Sequence, residues 1–500
     1  MSDSSPSADT PTQRRFRKRW LLWGWLSLWI LVGGWHSFKP MPSGTDLASE
    51  WVGAQEVRFL HDLTFSDARG RLQHQQQIFD EVLRIIDQAH SFIVADFFLF
   101  NDFVGGADPA FRPLSRQLAN QLKARKQARP DLQVLLVMDP INQVYGGVEL
   151  PLLAELRAAG IDVVIVNLNQ LRDSNPLYSS LWRMFGQWWG NTSGKGAMPN
   201  PFDTEPAQLT LRSWLALLNF KANHRKLITA DRADGQLVGL VTSANPHDAS
   251  SAHGNVALAF TSRALVKSMV DSELSLARRS GWSGHVYVAA PNAEPEAGST
   301  PGIRLAYLTE QSIRDDLLAA INGTRGGDSI GIATFYISDR KIIAALLAAA
   351  HRNVGVRIIL DPNKDAFGRV KDGVPNRPVA NELVADSKAR IQVRWYRTHG
   401  EQFHTKLALI SRGEQLLASL GSANLTRRNL GNYNLEANIA LEVPRSSELG
   451  GQMLDYFERL WSNVGSPPVE YTAPFGAYKD TDETRYWRYR FMEATGISTF

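Results

Sequence analysis

The chain has 500 residues, 44% of them apolar and 21% charged, which leaves ample material for a large folded core. Formal net charge is +4, and five positive side chains (Arg14, Arg15, Arg17, Lys18 and Arg19) fall at the N-terminus; the near-neutral remainder argues against broad electrostatic binding of nucleic acid. Cysteine is absent, which excludes disulfides and thiolate metal sites.

Residues 1–13 are rich in Ser, Asp, Pro and Thr and are expected to be disordered. Behind the basic cluster, Trp20 to Trp35 is a run of sixteen uncharged, mostly apolar residues. It is slightly shorter than the roughly 20 residues that span a bilayer, and His36, Ser37 and Phe38 extend it. Its tryptophans suit the membrane interface, and the preceding positive charge predicts a cytoplasmic N-terminus with the body outside. No small-x-small cleavage site follows, so an uncleaved anchor over residues 1–45 is expected, ahead of a cleaved signal peptide. Residues 39–54 read as a linker.

The body then alternates helix and strand. Ile78 to Ala89 has helical spacing, Ser91 to Phe100 reads as a strand, and 112–127 as a helix. Gln133 to Asp139 is a strand, Leu150 to Ala159 a helix, Ile161 to Val166 a strand. This βαβαβ order predicts a mainly parallel sheet covered by helices. Asn223-His224-Arg225-Lys226-Leu227 follows and opens a strand, and Ser243-Ala244-Asn245 closes the next one. On a strand, residues two apart share a face, so His224 and Lys226 are expected side by side.

The pattern recurs. Ser329 to Ser338 aligns with 91–100, Val356 to Pro362 with Val134 to Pro140, and Phe403-His404-Thr405-Lys406 leads to Ser422-Ala423-Asn424. Asn255 and Asn434 each stand ten residues past the motif asparagine. Two copies with matched spacing are a specific signal where one is not. They predict two halves, 46–300 and 301–500, related by a pseudo-twofold axis with one site between them. Imidazole, ammonium, hydroxyl and carboxamide together suit a phosphodiester: Lys226 and Lys406 supply charge, Asn245 and Asn424 hydrogen bonds, and Ser243, Ser422, Asn255 and Asn434 further substrate contacts. No Asp/Glu/His cluster has metal-ligand spacing, so no metal or other cofactor is expected. Asp139-Pro140 and Asp361-Pro362 read as turns at strand ends, and His247, His253 and His399 as loop residues.

The first half carries about forty extra residues, 170–220, with Trp182, Phe185, Trp188, Trp189 and Trp214. Two readings stay open: an amphipathic flap that touches lipid, or a loop with its own small core. The aromatic tail after Ser466 is expected to pack on the body.

At this point the chain resembles the phospholipase D superfamily, whose signature is His-x-Lys-x4-Asp twice with Ser-x-Asn downstream. His224, Lys226 and Asp231 complete the first copy; in the second, Ser411 replaces the Asp. Within the superfamily the chain looks most like bacterial membrane-associated phospholipase D and cardiolipin synthase-type proteins. The resemblance implies an α/β fold of two homologous halves with mainly parallel mixed sheets, plus the N-terminal transmembrane helix. It implies a phosphohistidine intermediate in which one histidine attacks phosphorus and the other protonates the leaving alcohol. It also implies a phospholipid substrate at a bacterial inner membrane, with the catalytic body periplasmic. In the family a carboxylate orients the nucleophilic imidazole. Glu436 could do so for His404; the matching first-half position reads as Ala257, which leaves Asp248 as a nearby acid for His224. Family precedent favours the first-half histidine as nucleophile and the local carboxylate favours His404, so both stay open. Asp231 reads as a supporting group. The competing functions are a membrane-anchored nuclease of the same superfamily and a catalytically decayed scaffold.

Overall fold

The computed structural model describes residues 11–103, 111–190, 196–202, 208–288, 300–366, 369–465, 469–498 and 500. Of the expected disordered leader only 11–13 are described, and they are helical; the expected boundary between halves, at 300, adjoins a segment outside the described residues.

Two large sheets carry the fold. In spatial order the first runs Leu72–Gln75, Gln55–Ser66, Asn255–Thr261, Leu237–Thr242, Lys226–Arg232, Ala89–Phe97, Gln133–Met138, Asp162–Ile165. The second runs Val52–Gly53, Arg304–Thr309, Ala437–Pro444, Gln415–Gly421, Lys406–Arg412, Ser329–Thr334, Gly355–Leu360, Ile391–Tyr396, Thr472–Pro474. Each motif strand is central and lies between its hairpin partner and the βαβ strands.

The expectation of mainly parallel sheets is corrected. Only the βαβ strands pair in parallel, 89–97 with 133–138 with 162–165 and 329–334 with 355–360 with 391–396. Every other pairing in the two sheets is antiparallel. The reason lies after each motif lysine, where the chain reverses in a tight turn and returns as a hairpin; Gly235, at φ 81°, supplies the left-handed residue of the first such turn. The alignment of 91–100 with 329–338 is also one residue out of register. Phe97 opposes Lys226 and Thr334 opposes Lys406, so Phe98 corresponds to Phe335.

Alternation along the strands decides the layering. Phe92 and Val94 face a core shared with the second sheet's Ala333, Leu407 and Leu420 and with the helices Arg263–Arg279 and Glu448–Ser462. Ile93 and Ala95 face outward, under the helices Ile78–Gln88 and Leu114–Ala128. The opposite sheet repeats this with Ile330 and Ile332 under the helices Gln311–Asn322 and Arg340–His351. The motif strands therefore end where the two sheets meet.

The N-terminal helix spans Pro11–Phe38, but the expected transmembrane span is not found: among the described residues no helix is long and apolar enough to cross a membrane. Tryptophan, glycine and serine dilute its apolar character. It lies instead along the insertion helix Pro176–Met184, with Trp29 Nε1 donating to Leu177 O at 3.1 Å and the Trp25 and Phe185 ring centroids 5.6 Å apart. The insertion does have packing of its own. Tyr178 Oη donates to Leu215 O at 2.6 Å, and Met198, Phe202, Trp214 and Leu217 pack onto the first sheet's outer core. The tail packs on the body as expected: Thr472–Pro474 pairs with 394–396, and the helix Glu483–Thr495 buries Tyr489.

Candidate active site

Both motif strands begin at the lysine, so each histidine stands just ahead of its strand rather than on it. What fixes it there is a short bridge to a loop of the opposite sheet. His224 N donates to Leu435 O at 2.8 Å, and Leu435 N returns to Ala222 O at 3.0 Å. Gly254 N donates to Gln402 O at 3.0 Å on the other side. Below each bridge a buried carboxylate clamps the chain. Asp139 accepts from Asn223 N at 2.6 Å and from Ile141 N at 2.7 Å; Asp361 accepts from Phe403 N at 2.8 Å and from Asn363 N at 2.6 Å. These aspartates make the expected turns and also hold the residue preceding each histidine. Burial pushes both carboxyls up to about 7.

The two imidazoles meet with ring centroids 6.5 Å apart, room for one tetrahedral group about 3–3.5 Å from each ring. Each lysine returns to its own loop, Lys226 Nζ to His224 O at 2.7 Å and Lys406 Nζ to His404 O at 2.9 Å. Burial lowers Lys226 to about 7, and burial together with Lys226 puts Lys406 well below the usual lysine range. Two aromatic rings that sequence reasoning missed complete the walls. Phe98 packs 4.8 Å from His224 and 5.0 Å from the Lys226 ammonium; Phe335 packs 5.1 Å from His404 and 5.5 Å from Lys406. Each is the first residue past the strand neighbouring the motif strand, and the one-residue register is what conceals their equivalence.

The environments of the histidines differ. His224 Nδ1 lies 3.0 Å from Glu436 Oε2, so Glu436 serves His224 and not His404. Ser422 Oγ and Asn429 Nδ2 also donate to this carboxylate. Burial raises Glu436, but His224, Lys226 and these donors outweigh it and hold the group below the usual carboxylate range. A carboxylate only accepts, so Nδ1 carries the proton and Nε2 keeps its lone pair toward the site. Burial lowers His224 to about 4. His404 Nδ1 instead faces Ser243 O at 3.0 Å and Asn255 Oδ1 at 3.2 Å. Burial, then Lys406, hold His404 well below the ordinary imidazole value.

Asn255 is therefore the counterpart of Glu436. Ser243 N pairs with Val256 O and Ser422 N with Ala437 O, which sets Asn255 opposite Glu436 and corrects the match to Ala257. Ser243, Ser422, Asn255 and Asn434, expected to touch substrate, hold the scaffold. Ser243 Oγ donates to Asn255 Oδ1 at 2.9 Å, Ser422 Oγ to Glu436, and Asn434 Oδ1 accepts from Ala222 N at 3.1 Å. Asn245 and Asn424 are buried beside the histidine loops; Asn245 Oδ1 accepts from Leu99 N at 3.2 Å.

Asp231 is not in the site. It lies five residues along the strand from Lys226, roughly 17 Å away. There it accepts from the backbone of His90 at 3.2 Å, Ser91 at 2.7 Å and Phe92 at 3.0 Å, and from Ser91 Oγ. It splices two strands, and Ser411 faces Ser329 at the same place in the second sheet. Asp248 is spent on Ser115, at 2.9 Å to its N and 2.7 Å to its Oγ. His247 holds Phe103 O at 2.7 Å, and His399 meets Ser66 Oγ at 3.0 Å, both as loop residues. His253 lies closer, its ring 5.8 Å from His404. Beneath His224, fully buried Arg225 pairs with Glu273 and Glu310, both at 2.8 Å, and Glu310 Oε1 accepts from Glu436 N at 3.1 Å. Nothing in the motif spacing signals this cluster, because its acids lie far away in sequence. Among the described residues no group of three or more His, Asp or Glu side chains could hold a metal ion.

Residues 317–461, which include His404, Lys406, Asn424 and Glu436, match the family model described as "Cardiolipin synthase, PLD-like domain". None of the curated proteins matches the chain in sequence. Among solved structures the chain is similar to phosphatidylserine synthase of Haemophilus influenzae Rd KW20, with TM-score 0.53 and 10% identity over 89% of this chain and 94% of that one. That likeness shows the fold. Looser matches are polyphosphate kinase from Porphyromonas gingivalis, TM-score 0.44 and 12% identity over 89% and 54% of the chains, and Nuc of Salmonella typhimurium, a phospholipase D family member, TM-score 0.25 and 20% identity over 35% and 99%.

Proposed function

We propose that the chain, whose residues 317–461 match a phospholipase D-like family model, is a phosphodiesterase or phosphatidyltransferase of the phospholipase D superfamily that acts on phospholipids through a phosphohistidine on His224. The observation that carries the assignment is the Glu436 carboxylate on His224 Nδ1 at 3.0 Å, where His404 has only a carbonyl and a carboxamide. A fixed negative charge stabilises the cation that forms as His224 Nε2 bonds to phosphorus. In that step the phosphorus–oxygen bond to the head-group alcohol breaks, and His404 Nε2 gives the alcohol its proton. In the second step water or an acceptor alcohol loses its proton to His404, its oxygen bonds to phosphorus, and the nitrogen–phosphorus bond breaks. Lys226, Lys406, Asn245 and Asn424 bind the phosphoryl oxygens.

Burial opposes protonation of both histidines and both lysines, and repulsion from neighbouring cations adds to it at His224, His404 and Lys406. A phosphodiester anion reverses this balance, so binding draws in the proton that His404 donates. Hydrolase and transferase share the intermediate; the acceptor decides the product. The matched strand orders of the sheets support a pseudo-twofold relation between the halves.

The test compares His224→Ala and His404→Ala on a phospholipid and on a p-nitrophenyl phosphodiester, with and without glycerol, by mass spectrometry of the products. Loss of His404 should abolish turnover of the lipid but spare the first burst of p-nitrophenol from the ester, whose leaving group needs no proton, with the His224 adduct then accumulating because the second step lacks its base; loss of His224 should abolish both. Phosphatidic acid identifies a hydrolase, a phosphatidyl-alcohol a transferase. The opposite pattern of rescue would reverse the roles, and intact protein inert on both substrates would sink the reading.

A further inference from the structure

The N-terminal helix and the insertion helix together present a surface that the chemistry above does not use. Trp20, Trp23 and Trp35 on the first are 70%, 62% and 64% exposed, and Trp188 and Trp189 beyond the second are 70% and 74% exposed. The two helices are held side by side. Gly33 packs so closely on Ser180 that a Cβ there would lie 2.6 Å from its hydroxyl, and Ser37 Oγ donates to Asp173 O at 3.3 Å. Exposed Arg17, Lys18 and Arg19 close one end.

Large exposed apolar patches on a folded chain mark a binding surface. Indole suits the headgroup level of a bilayer because its body is apolar and its N–H polar. Clustered Lys and Arg beside it attract anionic lipid. We infer that these two helices form a docking surface for an anionic phospholipid bilayer, seated at headgroup level. The inference deepens the proposed function, since a lipid substrate lies in that bilayer. The seat is tied to the site: Asp173 pairs with Arg183 at 2.6 Å and with buried Lys221, three residues before His224. The surface thereby holds a fixed height relative to the histidine loop.

The experiment is vesicle flotation of the full chain with phosphatidylcholine vesicles, with and without phosphatidylglycerol. The intact chain should float with both and more strongly with phosphatidylglycerol. Trp188→Ala with Trp189→Ala should weaken binding about tenfold or more. Arg17→Glu, Lys18→Glu and Arg19→Glu together should remove the preference for phosphatidylglycerol. Turnover of a monomeric short-chain phospholipid should be unchanged in the tryptophan variant, which separates docking from folding and catalysis. Intact protein that does not float, or variants that float like the intact chain, would overturn the inference. Binding that withstands alkaline carbonate would overturn the headgroup-level seat. Self-association that the tryptophan variant loses, without vesicle binding, would assign the patch to a second copy of the chain. A chain that floats but turns over no lipid refutes the function while the surface stands.

Discussion

Glu436→Gln is the change that probes the site most sharply, because it alters one charge and almost no volume. The carboxylate takes His224 Nδ1 at 3.0 Å and Ser422 Oγ on one oxygen and Asn429 Nδ2 on the other. A glutamine offers one acceptor and one donor. Its amide must face either Asn429 Nδ2, donor against donor, or the His224 side, where Nδ1–H loses its acceptor. In either orientation the developing imidazolium loses its negative partner. A hydrogen bond to a charged group contributes about 1.5–3 kcal/mol, and about 1.4 kcal/mol corresponds to tenfold in rate. The expected result is a fall in kcat of about one to two orders of magnitude with KM little changed. Head-group release from mixed micelles measures it, alongside a thermal melt and acid-quench trapping of the phosphohistidine. The adduct should map to His224 and form more slowly. A variant with kcat within about twofold of the intact protein, or an adduct on His404, would refute the assignment.

Asp231→Asn should leave kcat unchanged while lowering stability by about 1–3 kcal/mol, read as a shift in urea midpoint, because its acceptors serve strand ends and not substrate. Arg225→Met should cost about 3–5 kcal/mol, since it strands the carboxylates of Glu273 and Glu310 without a counterion; chemical denaturation measures it. Sulfate, whose charge is constant across the range, should compete with substrate best at low pH. With Lys226 lowered to about 7 by burial, the cation is present below that value and lost above it, so the inhibition constant should rise as pH increases from 7 to 9. A flat profile would show that the lysine charge is not what binds the anion.

The same depressed lysine carries a stability consequence. Burial penalises the protonated form, so the cost is fully present below the folded value of about 7 and is relieved as pH rises toward the unfolded value of 10.5. Asp139 and Asp361 act in the opposite direction, being neutral when favoured: raised to about 7, they cost stability as pH rises from about 4 to 7. The two lysines are thus buried against their own preference, which a bound anion would relieve.

The grouping of the two motifs was legible in the chain itself. His224, Lys226, His404 and Lys406 stand out because the motif occurs twice, and because each copy opens a strand whose hairpin partner returns Asn245 or Asn424 to the same end. What spacing could not reveal was which partners cross between the two sheets. The segment from Asn424 to Glu436 is two residues longer than that from Asn245 to Asn255, so a count along the chain pairs Asn255 with Asn434. Only the bridge of Leu435 to the chain before His224 puts Glu436 on the first histidine. The antiparallel majority of the sheets, the remoteness of Asp231 and the lodging of the N-terminal helix on the insertion were decided in the same way. Each depends on contacts between residues far apart in sequence, whose closeness is set by packing and not by local pattern.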